Sequence, residues 1–90
     1  MEEKMMYDFT SVSVEVEFEK VVELDISKIV ANAVHQNTSD LGIDEIAREV
    51  YRNGKAEMNA MEAREFQLAV ANSRDLLISI KTAVKKTIEK

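Results

Sequence analysis

Hydrophobic and polar positions alternate almost without fault between residues 11 and 24. Val12, Val14, Val16, Phe18, Val22 and Leu24 fall on one side, and Ser11, Ser13, Glu15, Glu17, Glu19 and Glu23 on the other. A period of two carried by β-branched residues predicts a strand with one wet face. Lys20 and Val21 interrupt the alternation, which marks a bulge, a bend or a tight turn. A two-residue loop at Glu19-Lys20 would set Val16 beside Glu23 and mix the two faces, and neither loop residue favours the positive φ such loops need. The pattern therefore reads as one strand over residues 12–24, bent near Lys20. A strand needs neighbours for its backbone donors and acceptors. The chain offers only Met5–Phe9 and Ala56–Met58, both too short to cover it, so a second copy of the chain becomes the expected partner.

After Asp25 the period lengthens. Ile26, Ile29, Val30, Ala33 and Val34 share one helical face, with Asp25 or Ser27 available to cap it and Gln36–Asp40 to end it. Ile43, Ile46, Ala47, Val50 and Tyr51 form the stripe of a second helix, stopped by Gly54. Lys55–Met58 predicts a short extended segment, and Asn59 with Glu62 has capping-box spacing. From there Phe66, Val70, Ser73, Leu77, Ile80 and Val84 step by four and three. One helix over residues 60–88 would be about 43 Å long, so a break or kink is expected at Asn72–Asp75, where Asn72 or Ser73 could cap a new helix. The fold class expected is α+β: N-terminal β-strand followed by three or four helices, the last long or kinked, in a single domain over 1–90 with a loose segment at 1–6.

Composition narrows the chemistry. The chain has no cysteine and no proline, and one histidine. Disulfide scaffolds, thiol chemistry and multi-histidine metal centres are excluded within one chain. The 46% apolar content is too high for a disordered tail. No apolar run approaches a membrane span and the first residues lack a signal-peptide pattern, so the expected compartment is the cytoplasm, with no membrane partner. Asn37-Thr38-Ser39 matches a glycosylation sequon and is read instead as loop chemistry. The net charge of −5 is uneven, with an acidic first quarter and a basic last segment. That balance argues against non-specific nucleic-acid binding.

Three stretches, LDISKIVANAVHQ at 24–36, EIAREVYRNGKAEM at 45–58 and LLISIKTAVKKTIE at 76–89, resemble in order and spacing small proteins encoded in bacteriophage and prophage gene clusters. The resemblance implies a phage setting; it carries no activity, cofactor or ligand to transfer.

Candidate chemical groups are few. His35 could act as a general base oriented by Asp40 or Asp44, but no nucleophile motif accompanies it, and a helix-end imidazole is the plainer reading. Glu15, Glu17, Glu19 and Glu23 form a ladder, read as a solvated face rather than a cation site or an acidic docking strip, because a flat strand spreads carboxylates that a cation needs converged. Asp40–Glu45 lacks calcium-loop spacing. Gly42 and Gly54 form no phosphate cradle. The second helix is not followed by a prompt basic helix, as DNA reading would require. Lys81, Lys85, Lys86 and Lys90 sit where cations suit a helix dipole, and Met1, Met5, Met6, Met58 and Met61 are divided between core filling and an adaptable surface. No catalytic, cofactor or metal set is expected. The expected function is a non-enzymatic interaction or assembly module, self-associating as a homodimer, with a phage or host protein as a further candidate partner. The interface candidates are Val12, Val14, Val16, Phe18, Val22, Leu77, Ile80 and Val84. The alternative is a small transcriptional or DNA-mimic regulator.

Overall fold

A computed structural model describes residues 3–89 of the chain. Its elements run β1 (Met5–Asp8), β2 (Val12–Glu17), β3 (Lys20–Leu24), α1 (Ser27–Asn37), α2 (Leu41–Asn53), β4 (Lys55–Met58), α3 (Ala60–Ala71) and α4 (Ile78–Ile88). This is the expected α+β arrangement of N-terminal antiparallel strands followed by helices.

The alternating segment is a hairpin, not one bent strand. β2 and β3 pair antiparallel, with Val12 opposite Leu24, Val14 opposite Val22 and Glu17 opposite Lys20. The register shifts between Glu15 and Glu17, which leaves Val16 as a bulge residue with no opposing partner. That extra residue moves the turn to Phe18-Glu19 and keeps the faces separate, the obstacle that a loop one residue later would meet. Glu19 adopts φ 65°, and its N–H donates to the Glu15 carboxylate at 3.1 Å. A side-chain acceptor thus anchors a turn that lacks the usual glycine or asparagine. The first part of β2 also finds its cover within the chain, because α4 packs against it.

β1 and β4, the two short segments, pair with each other, Met5 opposite Met58 and Asp8 opposite Lys55. The loose segment expected at 1–6 therefore ends before Met5; Met1 and Glu2 lie outside the described residues. Phe9 then ties this ribbon to the helices. Its N–H donates to the Gly54 carbonyl and its own carbonyl accepts from the Ile26 N–H, both at 2.9 Å. Its ring is fully buried and stacks on Phe66 with centroids 5.6 Å apart.

Each helix end has a local cause. Asp40 accepts from the N–H groups of Gly42 and Ile43 to start α2, and Gly54 ends it at φ 79°. Asn59 and Glu62 close the capping box of α3. α1 follows a turn in which the Asp25 carboxylate accepts from the Ser27 N–H and hydroxyl. The C-terminal stripe divides into two helices. α3 stops at Ala71 and α4 begins after Leu77, with no side-chain cap, so neither Asn72 nor Ser73 caps it. The break allows α4 to pack back on α3. Phe66 and Val70 from one helix and Ile80 and Val84 from the other then enter the same core.

Candidate interaction face and basic cleft

The eight expected interface residues separate into two groups. Val12, Val14, Ile80 and Val84 are buried in the chain's own core, and Val22 is half-buried. The four buried residues are corrected as interface candidates, since a residue already packed inside the subunit offers no area for a second molecule, and Val22 keeps only part of its surface. The reason is the hairpin, which satisfies β2 internally and lets α4 cover its apolar side. The other three stay outside. Phe18 at the hairpin tip is 97% exposed, Leu77 70% and Val16 44%. Ile78, absent from the sequence-based set, joins them at 79%; a residue that starts a helix after an interruption cannot be assigned to a face from periodicity alone.

Val16, Phe18 and Ile78 line one groove between the hairpin and α4, together with Glu15, Glu17 and Lys86. Leu77 faces a second groove with Ile29 and Leu76. The start of α4 is thus a ridge with an apolar trough on either side. Acidic groups belong to the hairpin wall and a basic group to the helix wall, so the face carries both signs around an apolar centre. Of the cationic series, Lys81, Lys85 and Lys86 lie on α4, and Lys90 lies outside the described residues.

A separate cleft opens between α1 and α2. The two helices run antiparallel, so successive pairs meet across them. His35 Nδ1 lies 2.5 Å from Asp44 Oδ1; Asn32 and Arg48 line the middle; the Lys28 ammonium sits 4.3 Å from the centre of the Tyr51 ring. Arg52 completes the lining. His35 is therefore held by Asp44, whereas Asp40 is committed to capping α2. The sequence signal for this cleft was the spacing 44, 48, 51, 52 on one helix and 28, 32, 35 on the other, each a single face. Without knowledge of which helices are neighbours, the two faces could not be combined.

The other polar candidates resolve into local structure. The glutamate ladder is divided by the hairpin: Glu15 binds the turn, and Glu23 accepts from the Ser11 hydroxyl at 3.2 Å. Among the described residues no group of three potential ligands converges on a metal position. The Thr38 hydroxyl of the sequon accepts from the Asp40 N–H, and Asn37 donates to the Ala33 carbonyl. Met58 is buried, whereas Met5, Met6 and Met61 are exposed. Among the described residues no helix is long and apolar enough to cross a membrane.

Two carboxylates elsewhere are perturbed. Asp8 accepts from the Thr10 N–H at 2.8 Å and the Thr10 hydroxyl at 2.5 Å, and the hydroxyl bond leads in holding its pKa below the ordinary carboxylate value. Asp25 is lowered in the same way, first by the Ser27 hydroxyl and then by the Ser27 N–H. These paired turns flank the Phe9–Ile26 backbone bond, and their role is to fix the chain where β1 and α1 meet.

What fold and site define is a small α+β domain with one mixed-charge apolar face and one basic cleft. No family model, curated protein or solved structure matches the chain.

Proposed function

We propose that this protein is a non-enzymatic interaction module that self-associates through the hairpin–α4 face, in a phage or prophage assembly as its sequence resemblance implies. The observation that carries the reading is Phe18, an aromatic ring left 97% exposed at the rim of a groove whose other apolar walls are Val16 and Ile78. Contiguous exposed apolar surface of this kind marks contact sites, and aromatic side chains supply much of the energy of such contacts. The occupant is a second copy. A twofold arrangement presents the same patch from both sides, and this patch holds Glu15 and Glu17 on one wall and Lys86 on the other. Two copies related in this way set acid against base at both edges of an apolar centre, which favours register and encounter. The unpaired strand that first suggested a dimer plays no part, since β2 is paired within its own chain.

Gel filtration with light scattering tests the reading. The wild-type chain at about 100 μM, far above a micromolar dissociation constant, should run near twice its chain mass of 10.2 kDa. Phe18→Asp should run as a monomer, and Leu41→Asp, at an exposed position lining neither groove, should leave the dimer intact. A wild-type monomer at that concentration, or equal loss from both variants, would overturn the proposal.

A further inference from the structure

The α1–α2 cleft is a second and chemically different site. In a chain of net charge −5, it gathers two guanidinium groups, an imidazole and the amide of Asn32 around a cavity of about 310 Å³. Its one carboxylate, Asp44, is already engaged by His35. Arg48 and Arg52 have acids within reach along their own helix, since Glu45 and Glu49 each precede one of them by three residues. Such spacing commonly forms ion pairs. The described residues nevertheless form only two, Lys4 with Glu62 and His35 with Asp44, so both guanidinium forks are unpaired.

The helix sets their spacing. Residues four apart stand one above the other with roughly 5–6 Å between their Cβ atoms, which lets two planar forks converge on one tetrahedral oxyanion. Guanidinium groups bind phosphate oxygens in pairs, with charge-assisted hydrogen bonds stronger than neutral ones. Asn32 on the opposite wall and the Tyr51 hydroxyl add neutral donors. Lys28 supplies positive charge at the same end while its ammonium is occupied by the Tyr51 ring. The His35–Asp44 pair closes the other end of the cleft, where the imidazole occupies one oxygen of the Asp44 carboxylate.

We infer that this cleft binds a small phosphate monoester, with Arg48 and Arg52 as the phosphate ligands and Asn32 as a donor from the facing helix. The cavity suits a phosphate with a small organic body rather than a polymer, because its lining runs only from His35 and Asp44 at one end to Tyr51 and Arg52 at the other. This inference does not rest on self-association: the lining residues belong to α1 and α2 and include none of the hairpin–α4 face.

The test is a titration of the full chain with inorganic phosphate, followed by backbone amide chemical shifts, with sodium chloride at matched ionic strength as the reference. Phosphate should produce saturating shifts confined to residues 28–36 and 44–53. The double variant Arg48→Gln/Arg52→Gln should weaken phosphate binding by at least about tenfold, as expected for removal of charge-assisted contacts. Both side chains are exposed, and an unchanged thermal midpoint will show that the fold is retained. Lys81→Gln/Lys85→Gln removes the same charge from α4 and should leave binding within about twofold, because charges beyond a Debye length are screened. Shifts that spread over the surface, that chloride reproduces, or that the lysine variant weakens as much as the arginine variant would overturn the site.

Discussion

The β2–β3 hairpin joins residues from one short stretch of chain, whereas the β1–β4 ribbon joins Met5 to Met58 and so closes a loop over more than half the molecule. The two tolerate different things. The hairpin buries Val12 and Val14 at its base and leaves Val16 and Phe18 in solvent at its tip; its pairing needs little from the rest of the fold. The ribbon can form only where α2, Gly54 and Phe9 bring its two halves together, and Ala56, Met58 and the following Phe9 are all buried. A locally closed ribbon can therefore present surface, whereas a ribbon closed through the core must fit its surroundings closely.

Gly54→Ala should break the second ribbon with the largest effect. Gly54 has φ 79°, and an added Cβ would lie 2.1 Å from Thr10 Cγ2. The Thr10 hydroxyl is bound to Asp8, so its rotamer cannot turn aside without loss. A destabilisation of about 2–4 kcal/mol is expected from the steric and backbone terms together. Thr10→Ser removes Cγ2 while keeping the hydroxyl, so the same glycine substitution in that background should cost about 1 kcal/mol less. Denaturant unfolding of the four chains measures both values.

The Asp8 and Asp25 turns sharpen the comparison through pH. Both carboxylates have folded-state pKa values below their ordinary ones. Each therefore contributes stability that is present above the unfolded-state value, near 4, and is lost as pH falls through the lower folded value. Unfolding midpoints should decline as pH falls below about 4. Asp8→Asn with Asp25→Asn should lower the midpoint at neutral pH and flatten that acid limb. Phe18→Asp, at the hairpin tip, should leave the slope unchanged.

The smallest effect is expected at the hairpin turn. Glu19 adopts φ 65°, which costs an L-residue about 1–2 kcal/mol. Glu19→Gly removes that strain and retains the backbone donor to Glu15, but increases the freedom of the unfolded chain. A net gain of at most about 1 kcal/mol is expected, read as a small rise in the denaturant midpoint. A loss instead would show that the Glu19 side chain itself supports the turn.

Much of the architecture was legible because its causes are local. The Asp40 cap, the Gly54 stop, the Asn59–Glu62 box and the helical stripes depend on residues within a turn or two of each other, so periodicity and capping chemistry locate them. The alternation at 12–24 identified β structure and even its fault, but not whether the fault was a bend or a turn. That choice depended on one unpaired residue, Val16, and on a carboxylate, Glu15, reaching the Glu19 N–H. Misreading it removed the internal partner of β2 and turned Val12 and Val14, both core side chains, into interface candidates. The basic cleft was still less legible. Arg48 and Arg52 look like ordinary surface residues of an amphipathic helix until α1 is laid beside them.

The sequence by itself determined where most helices form and stop, that residues 12–24 are β structure, and that Asn72–Asp75 is the place where the last apolar stripe would break or kink. These follow from dihedral preferences and from hydrogen bonds that a short segment can make alone. The tertiary structure decided which segments pair, which apolar faces are consumed inside the subunit, and which charged groups lack a local counterion. Those outcomes depend on contacts between residues far apart in the chain, and periodicity carries no information about which distant face will be the neighbour.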